Sequence, residues 1–290
     1  MTSLQFSPAP SPRGSRKKLP TTKLQRYDFE GEAQEYSIHD LKVLASHKDT
    51  SVYKGLLLLP GSVDPINVVV KTDFFAETPR PKDFEYEADM YELQLWDLQD
   101  KAIPHCYGLF QYKGEDDRTS SFLVLRHCGG PIVEPRDITN SIKSQVLNAV
   151  YCIHYAGFTH GDLSYDNILI SEDGRPFIID LEAARPHVCE VKERVFVGEE
   201  RRDVGCAEMM QCAALMQIWA DAYVRLEGVC TFYRGDLRHG NTDYLLSLLS
   251  HRYDDPSVHR PYVEQLVEQV EAEREHFRNI PPEKRVIAVE

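Results

Sequence analysis

The sequence predicts an α+β fold, with a small strand-rich first part carrying one helix and a larger, mainly helical second part. Three observations predict it. Apolar and β-branched runs at residues 41–44, 52–59, 68–71, 103–110 and 122–125 read as five strands. Between the third and fourth of these, Phe84, Ala88, Tyr91, Leu95 and Leu98 recur at steps of three and four, the stripe of one amphipathic helix. Beyond residue 130 the period becomes helical. Residues 141–155 carry the stripe Ile142, Val146, Ala149, Ile153 with Gly157 as terminator, and residues 203–223, 244–249 and 262–277 read as further helices, the first of them buried.

Composition narrows the function classes. A chain of 290 residues with 42% hydrophobic content can bury a substantial core. No stretch reaches the roughly 18 uninterrupted apolar residues of a membrane helix, and the N-terminus lacks the apolar run of a secretory signal. The seven cysteines are scattered without CxxC spacing, which points to reduced thiols in the cytoplasm or nucleus. Residues 1–25 are rich in Ser, Pro and Thr and read first as a disordered, merely solvated basic tail; the alternative reading makes Arg16-Lys17-Lys18 an import or anionic-surface patch and Ser7-Pro8 and Ser11-Pro12 phosphorylation sites. The net charge is −13. The first 24 residues carry five basic residues and no acid, so the remainder carries −18, which argues against nucleic acid as a partner of the globular part.

The chemistry concentrates in residues 160–180, HGDLSYDNILISEDGRPFIID. Apolar residues 168–170 and 177–179 flank Asp173-Gly174, a hairpin signal read as a two-residue turn. Such a hairpin brings Asn167 and Asp180 side by side, and their oxygens suit a hard cation such as Mg²⁺ that is shared with phosphate. Asp162 lies on the preceding loop, where it can meet an attacking hydroxyl. Upstream, Val69-Val70-Lys71 is a strand ending in a lysine. Glu87 falls on the inward stripe of the following helix, where a carboxylate needs a partner, and Lys71 is that partner in preference to a pairing through Glu92.

These motifs resemble the protein-kinase superfamily: H-x-D-x-x-x-x-N-I-L, then I-I-D-L, preceded by a V-x-K strand and a helix glutamate. The resemblance covers about residues 36–250 and implies a bilobal protein-kinase-like fold, with a disordered tail to residue 25, an N-lobe over 26–128, a C-lobe over 129–280 and a C-terminal tail over 281–290. It implies an ATP- and Mg²⁺-dependent phosphotransferase acting on a hydroxyl of a protein or small molecule. Asp162, Lys71, Glu87 and Asn167 would be catalytic, and Asn167 and Asp180 would hold the metal. Ala45, Val52, Val69, Lys71, Leu125, Arg126, Cys128 and Leu169 would surround ATP, with Leu125 as gatekeeper, Arg126–Cys128 offering backbone groups to adenine, and Gly129-Gly130 as a hinge. The departures are as specific as the matches. Ala45, His47 and Thr50 stand where the family places three phosphate-loop glycines, Gly161 replaces the arginine of H-R-D, Glu182 replaces the glycine of D-F-G, and no A-P-E follows. A divergent protein serine/threonine kinase is the leading expectation. An aminoglycoside- or choline-type small-molecule kinase and a pseudokinase acting as a binding module are the alternatives.

Overall fold

In the computed structural model, which describes residues 3–6, 19–20, 23–27, 35–114, 116–133 and 138–285, alternation of side chains along extended segments builds a barrel. The strands in chain order are β1 (Ser3–Phe6), β2 (Leu24–Arg26), β3 (Glu35–Ser46), β4 (Ser51–Leu58), β5 (Ile66–Thr72), β6 (Cys106–Lys113) and β7 (Thr119–Arg126), with helix α1 (Pro81–Asp89) between β5 and β6. They close in the order β1-β2-β6-β7-β5-β4-β3. In β4, Ser51, Tyr53, Gly55 and Leu57 point inward while Val52, Lys54, Leu56 and Leu58 stay half-buried, the period of two that a barrel wall demands. Leu4, Phe6, Leu24, Ile38, Tyr53, Leu57, Val68, Val70, Phe110, Phe122 and Val124 form one core.

Closure depends on the two strands that sequence pattern did not predict. β1 pairs in parallel with β3 (Ser3 opposite Glu35, Phe6 opposite Ile38) and antiparallel with β2, which pairs with β6. The expectation of a disordered segment through residue 25 is therefore corrected for these residues: Leu4 and Leu24 are fully buried and supply apolar area that repays their ordering. Arg16-Lys17-Lys18, Ser7-Pro8 and Ser11-Pro12 lie outside the described residues.

The chain divides into two compact units, Met1–Val133 with Asn148–Val188, and Glu134–Leu147 with Cys189–Glu290. In the first unit the barrel is joined by strand β8 (Gly130–Pro131), part of helix α2 (Asn140–Tyr155), β9 (Phe158–Thr159), the hairpin β10 (Ile168–Ile170) and β11 (Pro176–Ile178), and β12 (Arg185–Pro186). The second unit holds α3 (Ala207–Leu215), a hairpin of β13 (Tyr223–Leu226) and β14 (Cys230–Tyr233), α4 (Thr242–Leu249), α5 (Arg260–Arg278) and α6 (Pro282–Arg285). Its core gathers Phe232, Leu245, Leu249, Val263, Leu266 and Val270. The buried Arg274 ties it by bonding Glu200, Glu271 and the carbonyls of Arg234 and Leu237.

The expected bilobal protein-kinase-like fold with a mainly helical second part is overturned. The chain is an α+β, strand-rich protein with a closed seven-stranded barrel and six α-helices among the described residues. The unit boundaries also differ from the expected 26–128 and 129–280, because the 160–180 motif belongs to the barrel's unit. The long helix expected over residues 203–223 stops at Leu215. Gln217 takes a positive φ of 49°, and the alternating Tyr223, Val224, Phe232 and Tyr233 then pair across a turn as β13 and β14. No helix among the described residues is long and apolar enough to cross a membrane.

Among the described residues, one polar atom of the barrel core is uncompensated. The Tyr53 hydroxyl is fully buried without a hydrogen-bond partner among the described residues, and burial pushes its pKa up to about 12. Tyr53→Phe removes a desolvated hydroxyl while keeping the ring. Urea unfolding will show a stability gain of roughly 1 kcal/mol, and a loss of that size would mean the hydroxyl is satisfied.

Candidate active site

The site is built on the outward face of β5. Cross-strand register places Val52 opposite Lys71, Lys54 opposite Val69, and Val69 and Lys71 opposite Leu125 and Leu123. Residues directly opposite share a face, and Ala45 pairs with Val52, so the sheet brings Ala45, Val52, Val69, Lys71 and Leu125 together outside the barrel core. The turn between β3 and β4 is tight, closed by the His47 N–H on the Thr50 carbonyl at 2.8 Å, and has no glycine.

Helix α1 is delivered to this face by Asp73, one residue past β5. Its buried carboxylate accepts the backbone N–H of Arg80, just before Pro81 at the helix start, and that of Ser121 on β7, each at 2.7 Å. Phe84, Glu87 and Ala88 are the buried residues of α1. The single helix expected through Leu98 is instead interrupted. Met90–Gln94 is a π-turn, with the Leu95 N–H on the Met90 carbonyl at 2.9 Å, and Trp96–Leu98 is a 3₁₀ turn. Tyr91 and Leu95 nevertheless remain buried along with Phe84 and Ala88.

The third component is the β10–β11 hairpin. Ile168 pairs with Ile178, and the Ile179 N–H donates to the Asn167 carbonyl at 3.0 Å, so Asn167 and Asp180 emerge at the same end, as the spacing predicts. The turn is longer than the expected two residues. Gly174 donates to the Ser171 carbonyl and Ser171 to the Arg175 carbonyl, leaving Glu172-Asp173-Gly174 as a three-residue loop with Gly174 at φ 81°.

These three elements meet at one atom. Lys71 Nζ lies 2.8 Å from Glu87 Oε2, 2.5 Å from Asp180 Oδ1 and 3.4 Å from Glu182 Oε2. Burial works to discharge the ammonium, but Glu87 and Asp180 outweigh it and hold the Lys71 pKa above the usual lysine range. Glu87 is 1% exposed, and burial raises its carboxyl against the opposing pull of Lys71. Glu92, the competing candidate, instead pairs with Arg26 at 2.9 Å. Asp180 adopts the left-handed conformation at φ 68°, uncommon for a residue with a side chain, and its N–H bonds the Tyr91 hydroxyl at 3.3 Å.

The loop bearing Asp162 is fixed from behind. His160 is fully buried, with Nε2 2.7 Å from the Ile179 carbonyl and Nδ1 accepting the Asp162 N–H at 3.2 Å. These partners assign the proton to Nε2. Asn167 Nδ2 donates to the Asp162 carbonyl at 2.9 Å, which leaves its amide oxygen as the acceptor to be aimed elsewhere. The Asp162 side chain is exposed. Around the expected adenine position, Cys128 is buried and Leu169 half-buried. The Arg126 and His127 N–H groups are committed to His105 and Asn67, so two of the three expected backbone donors are spent within the sheet. The Arg126 side chain pairs with Asp100.

Sequence reasoning placed Lys71, Glu87 and Asp180 together and missed three contributors. Glu182 was noted only as a missing glycine, yet the 3₁₀ turn Leu181–Ala183 returns it to Lys71. Tyr91 was read only as a member of the helix stripe and Tyr86 was not singled out, but Tyr91 holds the Asp180 backbone and Tyr86 donates to the Ala184 carbonyl at 2.6 Å. The donor set of Asn167, Asp180 and the neighbouring carboxylates is oxygen only, which fits Mg²⁺. In comparison with known proteins, no family model matches the chain, and no curated protein matches it.

Two predictions follow from this geometry. Gly161 has φ 83°, and a Cβ there would lie 2.2 Å from the Ala183 carbonyl oxygen. Gly161→Ala will therefore cost roughly 1–3 kcal/mol in denaturant unfolding through strain at a left-handed position, and a neutral result would show that residues 181–184 can yield. Burial also pushes the Cys128 thiol up to about 12. Because the folded value lies above the unfolded one of about 8.5, this thiol's contribution to stability is complete below about pH 8.5 and declines as pH rises toward 12. A pH series of unfolding midpoints will fall over that window and fall less in Cys128→Ala.

Proposed function

We propose that the chain is an ATP-dependent phosphotransferase that moves the γ-phosphate of ATP to a hydroxyl, with a protein serine or threonine as the leading acceptor. The observation carrying this reading is the convergence of Lys71, Glu87 and Asp180 on one ammonium, from positions 16 and 109 residues apart in sequence, beside an Asp162 loop locked to Asn167. It rests on the site and not on the fold.

Phosphoryl transfer asks a protein mainly for positioning and charge compensation. Glu87 orients Lys71, whose ammonium would bind the α- and β-phosphates. Asn167 and Asp180 would hold Mg²⁺, which supplies neutralisation of phosphate charge when bound. Asp162, exposed at the loop tip, would orient the acceptor hydroxyl and take its proton as the new oxygen–phosphorus bond forms and the bond to ADP breaks. Val52, Val69, Leu125 and Leu169 would offer apolar contact to the base. Among the described residues no disulfide links any of the seven cysteines, which fits a reducing compartment, cytoplasmic or nuclear.

One observation favours a second reading, a binding module with little turnover. Glu182 sits 3.4 Å from Lys71 and competes for the ammonium that phosphates would need. Thermal shift with Mg²⁺-ATP addresses binding, and transfer of labelled γ-phosphate to basic protein or small alcohols separates acceptor classes. Asp162→Asn will lower turnover by roughly 100-fold or more while leaving Mg²⁺-ATP affinity within about twofold. Binding without transfer in the parent chain selects the binding-module reading, and absence of any thermal shift rejects both.

A further inference from the structure

We infer that His154, His187, Cys189 and Cys206 are the ligands of a zinc ion, two imidazoles and two thiolates, separate from the oxygen cluster around Lys71. The ligands come as two pairs. The His154 and His187 rings stand 5.0 Å apart, centroid to centroid, with a ring nitrogen of each within 4.8 Å of the other's. The Cys189 and Cys206 thiols hydrogen-bond each other, their sulfurs also within 4.8 Å. His187 and Cys189 are two residues apart in the chain, so their Cα atoms are at most about 7 Å apart and both can reach one ion. Tetrahedral Zn²⁺ with bonds of about 2.0–2.3 Å sets its ligands roughly 3.3–3.8 Å from one another. Each pair is already close to that spacing.

Backbone bonds hold each pair without help from a metal. Gly157, at φ 93°, joins the two histidine segments: its N–H donates to the His154 carbonyl at 3.0 Å, and its carbonyl accepts the His187 N–H at 2.7 Å. Just before His187, Arg185 and Pro186 pair with Thr159 and Phe158. Cys206 opens α3, its carbonyl accepting the Met210 N–H at 3.0 Å, and Gly205 beside it lies against Glu190, the neighbour of Cys189. His154 and Cys206 are buried while His187 and Cys189 are half-buried, so two ligands are sheltered and two can be reached by an incoming ion. Imidazole and thiolate together select zinc over the hard cations that suit the Lys71 site. Four protein ligands leave no open position, so the ion would stabilise the fold and do no chemistry. The set is invisible to CxxC spacing because the members of each pair are far apart in sequence.

Cobalt titration of the full chain, purified with chelator and reductant, tests the site. One Co²⁺ per chain will bind with the intense visible bands of a tetrahedral ion and a near-ultraviolet thiolate-to-cobalt charge-transfer band, and Zn²⁺ will displace it and bleach both. Cys189→Ser will weaken Co²⁺ binding about tenfold or more and diminish the charge-transfer band. His187→Ala will weaken binding by a similar factor with the charge transfer retained. Cys230→Ser changes a thiol on β14 outside the set and will leave the spectrum and affinity as they are. Circular dichroism establishes that the variants fold. Should one not fold, zinc-dependent thermal stabilisation of the parent chain, reversed by chelator, reads the same site. Absence of the tetrahedral cobalt spectrum, absence of that stabilisation, or unchanged spectrum and affinity in Cys189→Ser and His187→Ala would overturn the proposal and leave the four side chains as ordinary packing. These readouts are metal binding and stability, and none depends on whether phosphate is transferred.

Discussion

The ammonium of Lys71 is the fixed point of the candidate site. It gathers carboxylates from helix α1 and from the turn after β11, segments with no local reason to meet. The gross attraction is large: one pair at 2.8 Å in an effective dielectric near 20 amounts to about 6 kcal/mol. Desolvating each ion costs several kcal/mol in return, so the net stabilisation from such a pair is small. What the cluster contributes is placement. Glu87 is buried where an unpartnered carboxylate would be expelled, so α1 is seated correctly only when Lys71 meets it, and Asp180 holds a left-handed conformation that its surroundings must enforce.

The barrel makes that placement rigid. β5 has ladder partners on both sides, β4 and β7, so the Lys71 backbone is held in register by two strands. Alternation sends Val68 and Val70 into the core and Val69 and Lys71 to the opposite face. Asp73 then binds the start of α1 and the β7 backbone together, so the helix carrying Glu87 is anchored within a few residues of the lysine it must reach. The 3₁₀ turn after Asp180 lies close against the Asp162 loop at Gly161, where a Cβ would have no room.

Local pattern made legible what local physics decides. The five strands of residues 36–125 were readable because their apolar alternation is strong. Glu87 was readable because a carboxylate on an apolar stripe demands a cation, and the Asn167–Asp180 approach because hairpin pairing fixes it. The four-residue β1 was not readable, since Ser3–Phe6 lies in a polar segment and its order comes from a parallel partner some thirty residues away. The helix expected over residues 203–223 failed for a related reason: mixed apolar residues fit either period, and tertiary pairing of Tyr223–Leu226 with Cys230–Tyr233 decided for strands. Glu182 was hidden because a 3₁₀ turn, not sequence spacing, folds it back. The fold-level expectation fell on these long-range pairings, and the Lys71–Asp180 contact is itself long-range, its two ends each placed by a locally readable element.

The account is tested most directly by a double-mutant cycle on equilibrium stability between Lys71→Met and Asp180→Asn, residues 109 positions apart. Contact at 2.5 Å in a half-buried site predicts a coupling energy of roughly 1–3 kcal/mol. Additive effects within about 0.5 kcal/mol would mean the two groups do not meet in the folded protein, and the shared ammonium would have to be abandoned.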